Sequence, residues 1–241
     1  MNLHTDHIIA PGRPPLRHLV QFYGAEAGEL IRALTRYVSE GLAAGSAVLI
    51  VATADHTDAL LGALAEPADG RDRSRAIVCL DAQATLDRFM VNGQPDWRRF
   101  EQTVGGIVRG LRRSAPAGTL RVYGEMVGLL WQAGQGEAAV CLENFWNVLL
   151  GDDEFALFCG YPIDVFSEEF TAAEELLRTH SHVLYGAEDD RMARALDAAT
   201  RDVLGAQVAS LSERMSVEGA VASHVAEDIF RRARSYYREC A

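Results

Sequence analysis

The sequence predicts an α/β fold, in which a mainly parallel sheet carries helices on both faces and a helical extension follows. Short apolar runs typical of strands alternate with segments of helical periodicity, the arrangement that builds parallel sheets. The run AVLIVAT, Ala47–Thr53, is continuous and apolar, as expected of a strand that is covered on both faces. Beyond Gly186 no strand pattern continues, and residues 188–241 are rich in alanine, arginine and acids.

Each element is predicted from its own pattern. Apolar runs bounded by glycine, proline or polar residues predict strands at Leu16–Tyr23, Ala47–Thr53, Ala76–Asp81, Thr119–Met126 and Phe155–Pro162. Apolar residues at helical spacing predict helices at Glu26–Ala43, Asp55–Leu64, a short stretch after Asp81, Asp96–Arg113, Glu137–Leu150 and Thr171–His180. Asn92-Gly93 indicates a turn, and Asp55 is expected to cap its helix.

Three segments follow from this pattern. Residues 1–15 are predicted to be a flexible N-terminal segment, and residues 16–186 an α/β domain. Residues 187–241 carry two apolar stripes at helical spacing, broken near Ser216–Gly219. Because isolated helices of this length are marginal in water, we expect the stripes to form a helical hairpin that pairs in a homodimer.

The charged residues of the sequence exclude lysine-dependent chemistry and disfavour nucleic-acid binding. The 241-residue chain has 23 cationic residues, and all of them are arginine. Without lysine, neither a phosphate loop with its reaching ammonium group nor a lysine Schiff base can form. The net charge of −11 disfavours nucleic acid as a direct partner.

Cysteine usage and hydropathy bear on location. Four cysteines occur without the spacing of a metal knuckle or a redox pair, and Cys79 and Cys159 lie in apolar runs, where a buried thiol is usual. Neither a leader pattern nor an apolar run of about 18 residues is present. We therefore expect a cytoplasmic protein with reduced thiols and no membrane association.

The loop after the first strand raises the question of nucleotide binding. It reads GAEAGEL, Gly24–Leu30, where a nucleotide-binding domain would carry GxxxxGK[ST]. The glycines are partly kept and the lysine is missing. The scaffold thus resembles that of a nucleotide enzyme, but the loop lacks the lysine that binds phosphate.

A candidate ligand site follows from the strand ends, because open α/β sheets bind ligands beyond the carboxyl ends of their strands. Three tyrosines, a phenylalanine and several polar groups lie there, a composition typical of a small-molecule pocket. The predicted ligand-binding residues are Gln21, Phe22, Tyr23, Thr53, Asp81, Tyr123, Glu125 and Tyr161. Phe22 is also consistent with a core position, and Glu125 with a cap on the following helix.

No cofactor, catalytic residue or metal is predicted. His180 and His182 are the only closely spaced histidine pair at the end of the domain, and two histidines without a placed carboxylate or cysteine are weak evidence for a metal. The sequence contains neither GxSxG nor HExxH.

Several blocks together resemble one known family. The blocks are HLVQFY, GLAAGSAVLIVAT, LDAQATLDRFMVNGQPDWRRF, RVYGEMVGLLWQAG and FCGYP. In this order, over roughly residues 16–185, they resemble the MEDS domain, a sensory domain of methanogen and methylotroph regulators. The resemblance implies a fold similar to the RecA and circadian-clock ATPases, with an eroded phosphate loop. It also implies a partner or fused module of the transcription-factor, histidine-kinase or anti-sigma type, although residues 188–241 match none of these.

The family resemblance and the absence of lysine together predict a ligand-sensing signal-transduction domain. It would bind a small organic molecule and transmit this binding event to a partner regulator. Two alternatives stay open. One is a protein-interaction module without a ligand, docking a histidine kinase or an anti-sigma factor, and the other is an atypical nucleotide hydrolase. We expect no enzyme activity.

Because the chain lacks lysine, we expect ATP with magnesium to bind weakly or not at all and to remain unhydrolysed. Isothermal titration and a phosphate-release assay measure both properties. A dissociation constant tighter than ~10 µM, about −7 kcal/mol, would contradict this interpretation of the loop.

Overall fold

The computed structural model describes most of the α/β region. The described residues are 18–23, 27–64, 76–115, 119–162, 179–180, 182–184, and the positions 195, 198, 199, 202, 231–233, 235 and 236. The chain divides into two compact units, one formed by Tyr23–Ile163 and the other by Met1–Phe22 together with Asp164–Ala241.

The strands and helices alternate along the chain. The strands are β1 (His18–Tyr23), β2 (Ala47–Ala52), β3 (Ile77–Asp81), β4 (Met90–Val91), β5 (Gln94–Pro95), β6 (Leu120–Gly124), β7 (Ala156–Pro162) and β8 (His182–Leu184). The helices are α1 (Gly28–Ala43), α2 (Ala54–Ala63), α3 (Ala82–Asp87), α4 (Trp97–Phe100), α5 (Gly106–Ser114), α6 (Met126–Gln132) and α7 (Gly136–Asp152). A π-helical turn, Glu101–Gly105, joins α4 to α5.

The Tyr23–Ile163 unit is built on parallel strands in the order β3-β2-β6-β7. Strand β2 is buried along its whole length, as its unbroken apolar sequence requires. In register, Ile50 of β2 lies beside Tyr123 of β6, and Tyr123 lies beside Phe158 of β7. This register determines which side chains share a face of the sheet.

Helix α1 covers the sheet with one apolar stripe. Its buried residues include Leu30, Leu34, Tyr37 and Val38, spaced by three or four residues as the sequence predicts. The Tyr37 hydroxyl donates to the carbonyl of Ala156 at 2.9 Å, so the buried polar group is satisfied by the end of β7. This contact fixes the helix over β6 and β7.

Helix α6 packs unusually close to β7. A Cβ atom on Gly128 would lie 2.8 Å from both the carbonyl oxygen of Gly160 and Cδ of Pro162. Only glycine permits this approach, which positions the start of α6 and the residue before it, Glu125.

The β4–β5 hairpin confirms the predicted Asn92-Gly93 turn. Both residues have positive φ, 52° and 80°, the conformation of a two-residue hairpin loop that asparagine and glycine tolerate. The two strands pair antiparallel, with Met90 beside Pro95.

In the other unit, residues Leu19–Gln21 of β1 pair in parallel with His182–Leu184 of β8, with Leu19 beside His182. His18 and His180 are both buried, and their ring centroids lie 4.1 Å apart. The Thr179 hydroxyl lies 3.0 Å from Nδ1 of His180.

The predicted fold class is confirmed, with local differences. Helix α6 is missing from the sequence interpretation, because seven residues are too few for a clear period. Thr53, rather than Asp55, is the N-cap residue of α2, and Asp55 lies in the first turn. Cys79 is exposed, whereas Cys159 is buried as expected.

Some predictions fall on residues outside the described part of the chain. These are the flexible segment 1–15, the helix Thr171–His180 apart from its last two residues, and the hairpin of residues 187–241 apart from scattered positions. The division into domains and the homodimer therefore stay predictions.

Within the described residues, no helix combines the length and the apolar character that crossing a bilayer requires.

Candidate functional site

The candidate site lies where the chain reverses its direction across the sheet. After β2 the chain moves outward to β3, and it later returns to the opposite side of β2 to form β6 before moving on to β7. The connections that leave β2 and β6 therefore run in opposite directions and open a crevice between two adjacent strand ends. Ligands of open α/β sheets bind at such a point.

Glu125 is the centre of this crevice. It directly follows β6 and is only 3% exposed. Its Oε2 accepts from the backbone N–H of Thr53 at 2.9 Å, and its Oε1 accepts from the Tyr123 hydroxyl at 2.6 Å. A third donor, Nδ1 of His56, lies 2.5 Å from Oε1. Three donors from β6, α2 and the end of β2 thus converge on one buried carboxylate.

Helix capping of α6 does not explain this carboxylate. Glu125 occupies the N-cap position of α6, but its side chain makes no capping hydrogen bond there. It binds instead at the start of α2, through Thr53 and His56, where a negative charge is favoured by the helix dipole. The side chain therefore joins β6 to α2.

Tyr123 supplies the most deeply buried donor. Glu125 lies two residues further on, so the two side chains share a face of the strand. Gly160 of β7 makes room for the ring, because a Cβ atom there would lie 2.5 Å from the Tyr123 hydroxyl. Burial first, and then the charge and hydrogen bond of Glu125, raise the pKa of Tyr123 far above its usual value. The hydroxyl consequently stays protonated and donates.

His56 is the half-buried member of the site, on the first turn of α2. Because a carboxylate oxygen only accepts, Nδ1 carries the proton towards Glu125, and Nε2 is the free end of the ring. The hydrogen bond to Glu125 raises the pKa of His56 above 6.5, with burial opposing and the charges of Glu125 and Asp55 adding to it. The side chain keeps 18% of its surface exposed.

Tyr23 lies beside His56, with ring centroids 5.8 Å apart in an edge-to-face arrangement. It is 9% exposed, and burial together with the charge of Glu125 raises the pKa of its hydroxyl well above the usual value. That hydroxyl forms no hydrogen bond to any residue in the described part of the chain. The site thus combines a carboxylate whose two oxygens are both hydrogen-bonded with two groups that have no hydrogen-bond partner among the described residues, Nε2 of His56 and the Tyr23 hydroxyl.

The structure brings four of the eight predicted residues together: Tyr23, Thr53, Tyr123 and Glu125. Asp81 has a different partner, because its carboxylate accepts from the amide of Ala84 at 2.7 Å and caps α3. Gln21 and Phe22 are buried in the segment Met1–Phe22 of the other unit.

Tyr161 lies on the opposite face of the sheet from Tyr123. Tyr123 is in register with Phe158, and Tyr161 is three residues beyond Phe158, so the strand alternation turns it away. Its hydroxyl donates to Glu143 of α7, which is fully buried, and Cys159 Sγ lies 3.8 Å from the other oxygen of that carboxylate. Burial, and then Glu143, raise the pKa of Tyr161 and of Cys159 well above their usual values.

The sequence interpretation missed His56 and the contacts of Glu143. His56 could have been found as a titratable residue within one turn of a strand end, the same rule that selected Thr53. Glu143 could not be assigned a partner, because its contacts with Tyr161 and Cys159 depend on which face α7 covers.

The pair of His56 and Glu125 does not have the composition of a metal centre. It offers one imidazole and one carboxylate, and these two groups are hydrogen-bonded to each other. Structural and catalytic zinc sites use three or four protein ligands.

Comparison of the sequence with protein-family models identifies the family. Residues 17–181 match the model of MEDS, the methanogen/methylotroph, DcmR sensory domain. The chain belongs to the MEDS family. The crevice between β2 and β6, with all five of its residues, lies inside the matched segment. No curated protein matches the chain, and the likeness of the MEDS fold to RecA-type ATPases stays a prediction.

The pair of His56 and Glu125 should make the stability of this MEDS domain depend on pH. Because the folded state raises the pKa of His56, the stabilisation is complete below the unfolded value of 6.5 and is lost as the pH rises through the raised value. We expect His56→Gln to cost about 1–2 kcal/mol of unfolding free energy near pH 6 and much less near pH 9.

Denaturant unfolding of the wild type, His56→Gln, Glu125→Gln and the double variant measures this coupling as a thermodynamic cycle. Glu40→Gln on α1, which removes a carboxylate paired with Arg36, is the control. A coupling energy that does not change with pH would contradict the assignment of the proton.

Proposed function

We propose that this MEDS domain is a small-molecule sensor in signal transduction, and that its ligand binds in the crevice between the ends of β2 and β6. The observation that carries the proposal is the convergence of Tyr23, Thr53, His56, Tyr123 and Glu125 at the point where the strand order reverses. A buried carboxylate held by three donors is costly unless every hydrogen bond is made. Such pre-organised polar groups beside aromatic rings are typical of binding sites for small organic molecules.

The role we propose is binding without turnover. Glu125 is hydrogen-bonded by three protein groups, which holds it in place rather than leaving it to accept a proton from a substrate. The absence of lysine from the sequence leaves no phosphate loop to present a nucleotide to it.

Transmission to a partner is the second part of the proposal. Thr53 and His56 belong to the start of α2, whereas Glu125 and Tyr123 belong to β6 and the start of α6. A ligand that changes the hydrogen bond between His56 and Glu125 therefore acts on two helices at once. We propose that a partner regulator, of the transcription-factor, histidine-kinase or anti-sigma type, detects this change, with the homodimer as one way of presenting it.

A thermal-shift screen of neutral, acidic and basic organic molecules tests the proposal. A true ligand present at 100 times its dissociation constant adds about 2.7 kcal/mol, which corresponds to roughly 5–10 °C for a domain of this size. We expect His56→Gln and Glu125→Gln to reduce the shift strongly, and Glu40→Gln to keep it.

Two results would contradict the proposal. Ligands that stabilise the wild type and both site variants equally would place binding outside the crevice. A broad library without any stabilising compound would favour the alternative, a protein-interaction module that binds no ligand.

A further inference from the structure

We infer that the crevice recognises a neutral molecule through a hydrogen-bond-accepting oxygen of the carbonyl type, held by Nε2 of His56 and the hydroxyl of Tyr23. This inference rests on the proposed function and adds to it the contact atoms and the class of ligand. It also assigns Glu125 as a positioning residue, in place of the direct ligand contact that the strand-end pattern predicts.

The first step concerns the capacity of Glu125. A carboxylate can accept about four hydrogen bonds, and protein donors make three of them here, two at Oε1 and one at Oε2. The side chain is almost completely removed from solvent. Its charge is therefore directed at protein donors, and its effect on a ligand passes through the orientation of the His56 ring.

The second step concerns the group that the ring presents. With Nδ1 held by Glu125, the ring orientation is fixed and Nε2 is its outward atom. No residue in the described ranges hydrogen-bonds to Nε2. When His56 is protonated, Nε2 is a donor, and the neighbouring carboxylate favours that form.

Tyr23 provides the second contact independently. Only 9% of the residue is exposed, and its hydroxyl has no hydrogen-bond partner among the described residues. A ligand atom that accepts from this hydroxyl adds a hydrogen bond that the described protein groups do not make. Because the ring lies against His56, the two donors belong to one small region.

Charge selects among the possible acceptors. Glu125 and protonated His56 form a neutral pair, and Asp55, the other charged group that acts on His56, adds a negative charge beside it. An anionic ligand would be repelled by this negative charge, and a cationic ligand would be repelled by the proton on Nε2. A neutral oxygen acceptor satisfies both donors without introducing a further charge.

Ring compounds of one shape test this inference. The probes are cyclohexanone, cyclohexanecarboxylate and cyclohexylammonium, which share a ring and differ in the group presented. The readout is the side-chain nitrogen resonances of histidine in full-length protein labelled with ¹⁵N-histidine, with His56 assigned by their loss in His56→Gln. Millimolar cyclohexanone should shift the Nε2 resonance of His56 saturably and raise the pKa of His56.

Variants distinguish the ligand contact at Tyr23 from the positioning role of Glu125. Tyr23→Phe should weaken the response to cyclohexanone about 5-fold, the effect of one lost hydrogen bond. Tyr236→Phe is the control, because that hydroxyl donates to Asp202 at 3.1 Å. Glu125→Gln should abolish the raised pKa of His56 in the protein without ligand, which a purely structural role for Glu125 would leave unchanged.

The remaining outcomes overturn the inference in distinguishable ways. A stronger response of His56 to the carboxylate or to the ammonium probe would refute the ligand class and leave the site intact. If none of the three probes shifts the side-chain resonances of His56, the inference as a whole is refuted. The proposed function is tested separately by the thermal-shift screen.

Discussion

The buried carboxylate of Glu125 is the constraint on which the arrangement of this site depends. A charge removed from water is tolerated only when donors surround it, and here the donors come from β6, the end of β2 and the first turn of α2. Removing any one of them leaves an unsatisfied group in an apolar environment. The carboxylate therefore holds β6 and α2 in one relative position.

That position depends on two glycines that allow close packing against the sheet. Gly160 admits the ring of Tyr123, and Gly128 lets α6 approach β7 closely enough to place Glu125 at the end of β6. The glycines are thus part of the geometry of the site, although neither contacts the carboxylate. In the proposed sensor, a ligand that contacts His56 would act on a site whose other hydrogen bonds are fixed.

The parts of the fold and site that depend on local pattern are predictable from the sequence. Strand β2 follows from its apolar run, the β4–β5 turn from Asn92-Gly93, and the polar strand end from Gly124 and Glu125. The pairing of Glu125 with His56 is different in kind, because it requires β2 and β6 to be neighbours although β3 lies between them in the chain. Likewise, the separation of Tyr161 from Tyr123 depends on the exact register of β6 and β7.

The two buried carboxylates lie on opposite faces of the sheet. Glu143, a residue of α7, accepts from the Tyr161 hydroxyl and the Cys159 thiol of β7. Glu125 also has several donors, but one of them, His56, is partly exposed and lies beside the ring of Tyr23. We therefore place the site at Glu125, where buried electrostatics are connected to an accessible group.

Amide chemical-shift mapping with a compound that stabilises the protein tests the central claim most directly. The account predicts that the largest perturbations fall on the amides of residues 52–56 and 123–126, the two segments that border the crevice. The largest perturbations at the end of β3, around Asp81 and Ala84, or on α7 beside Glu143, would contradict it.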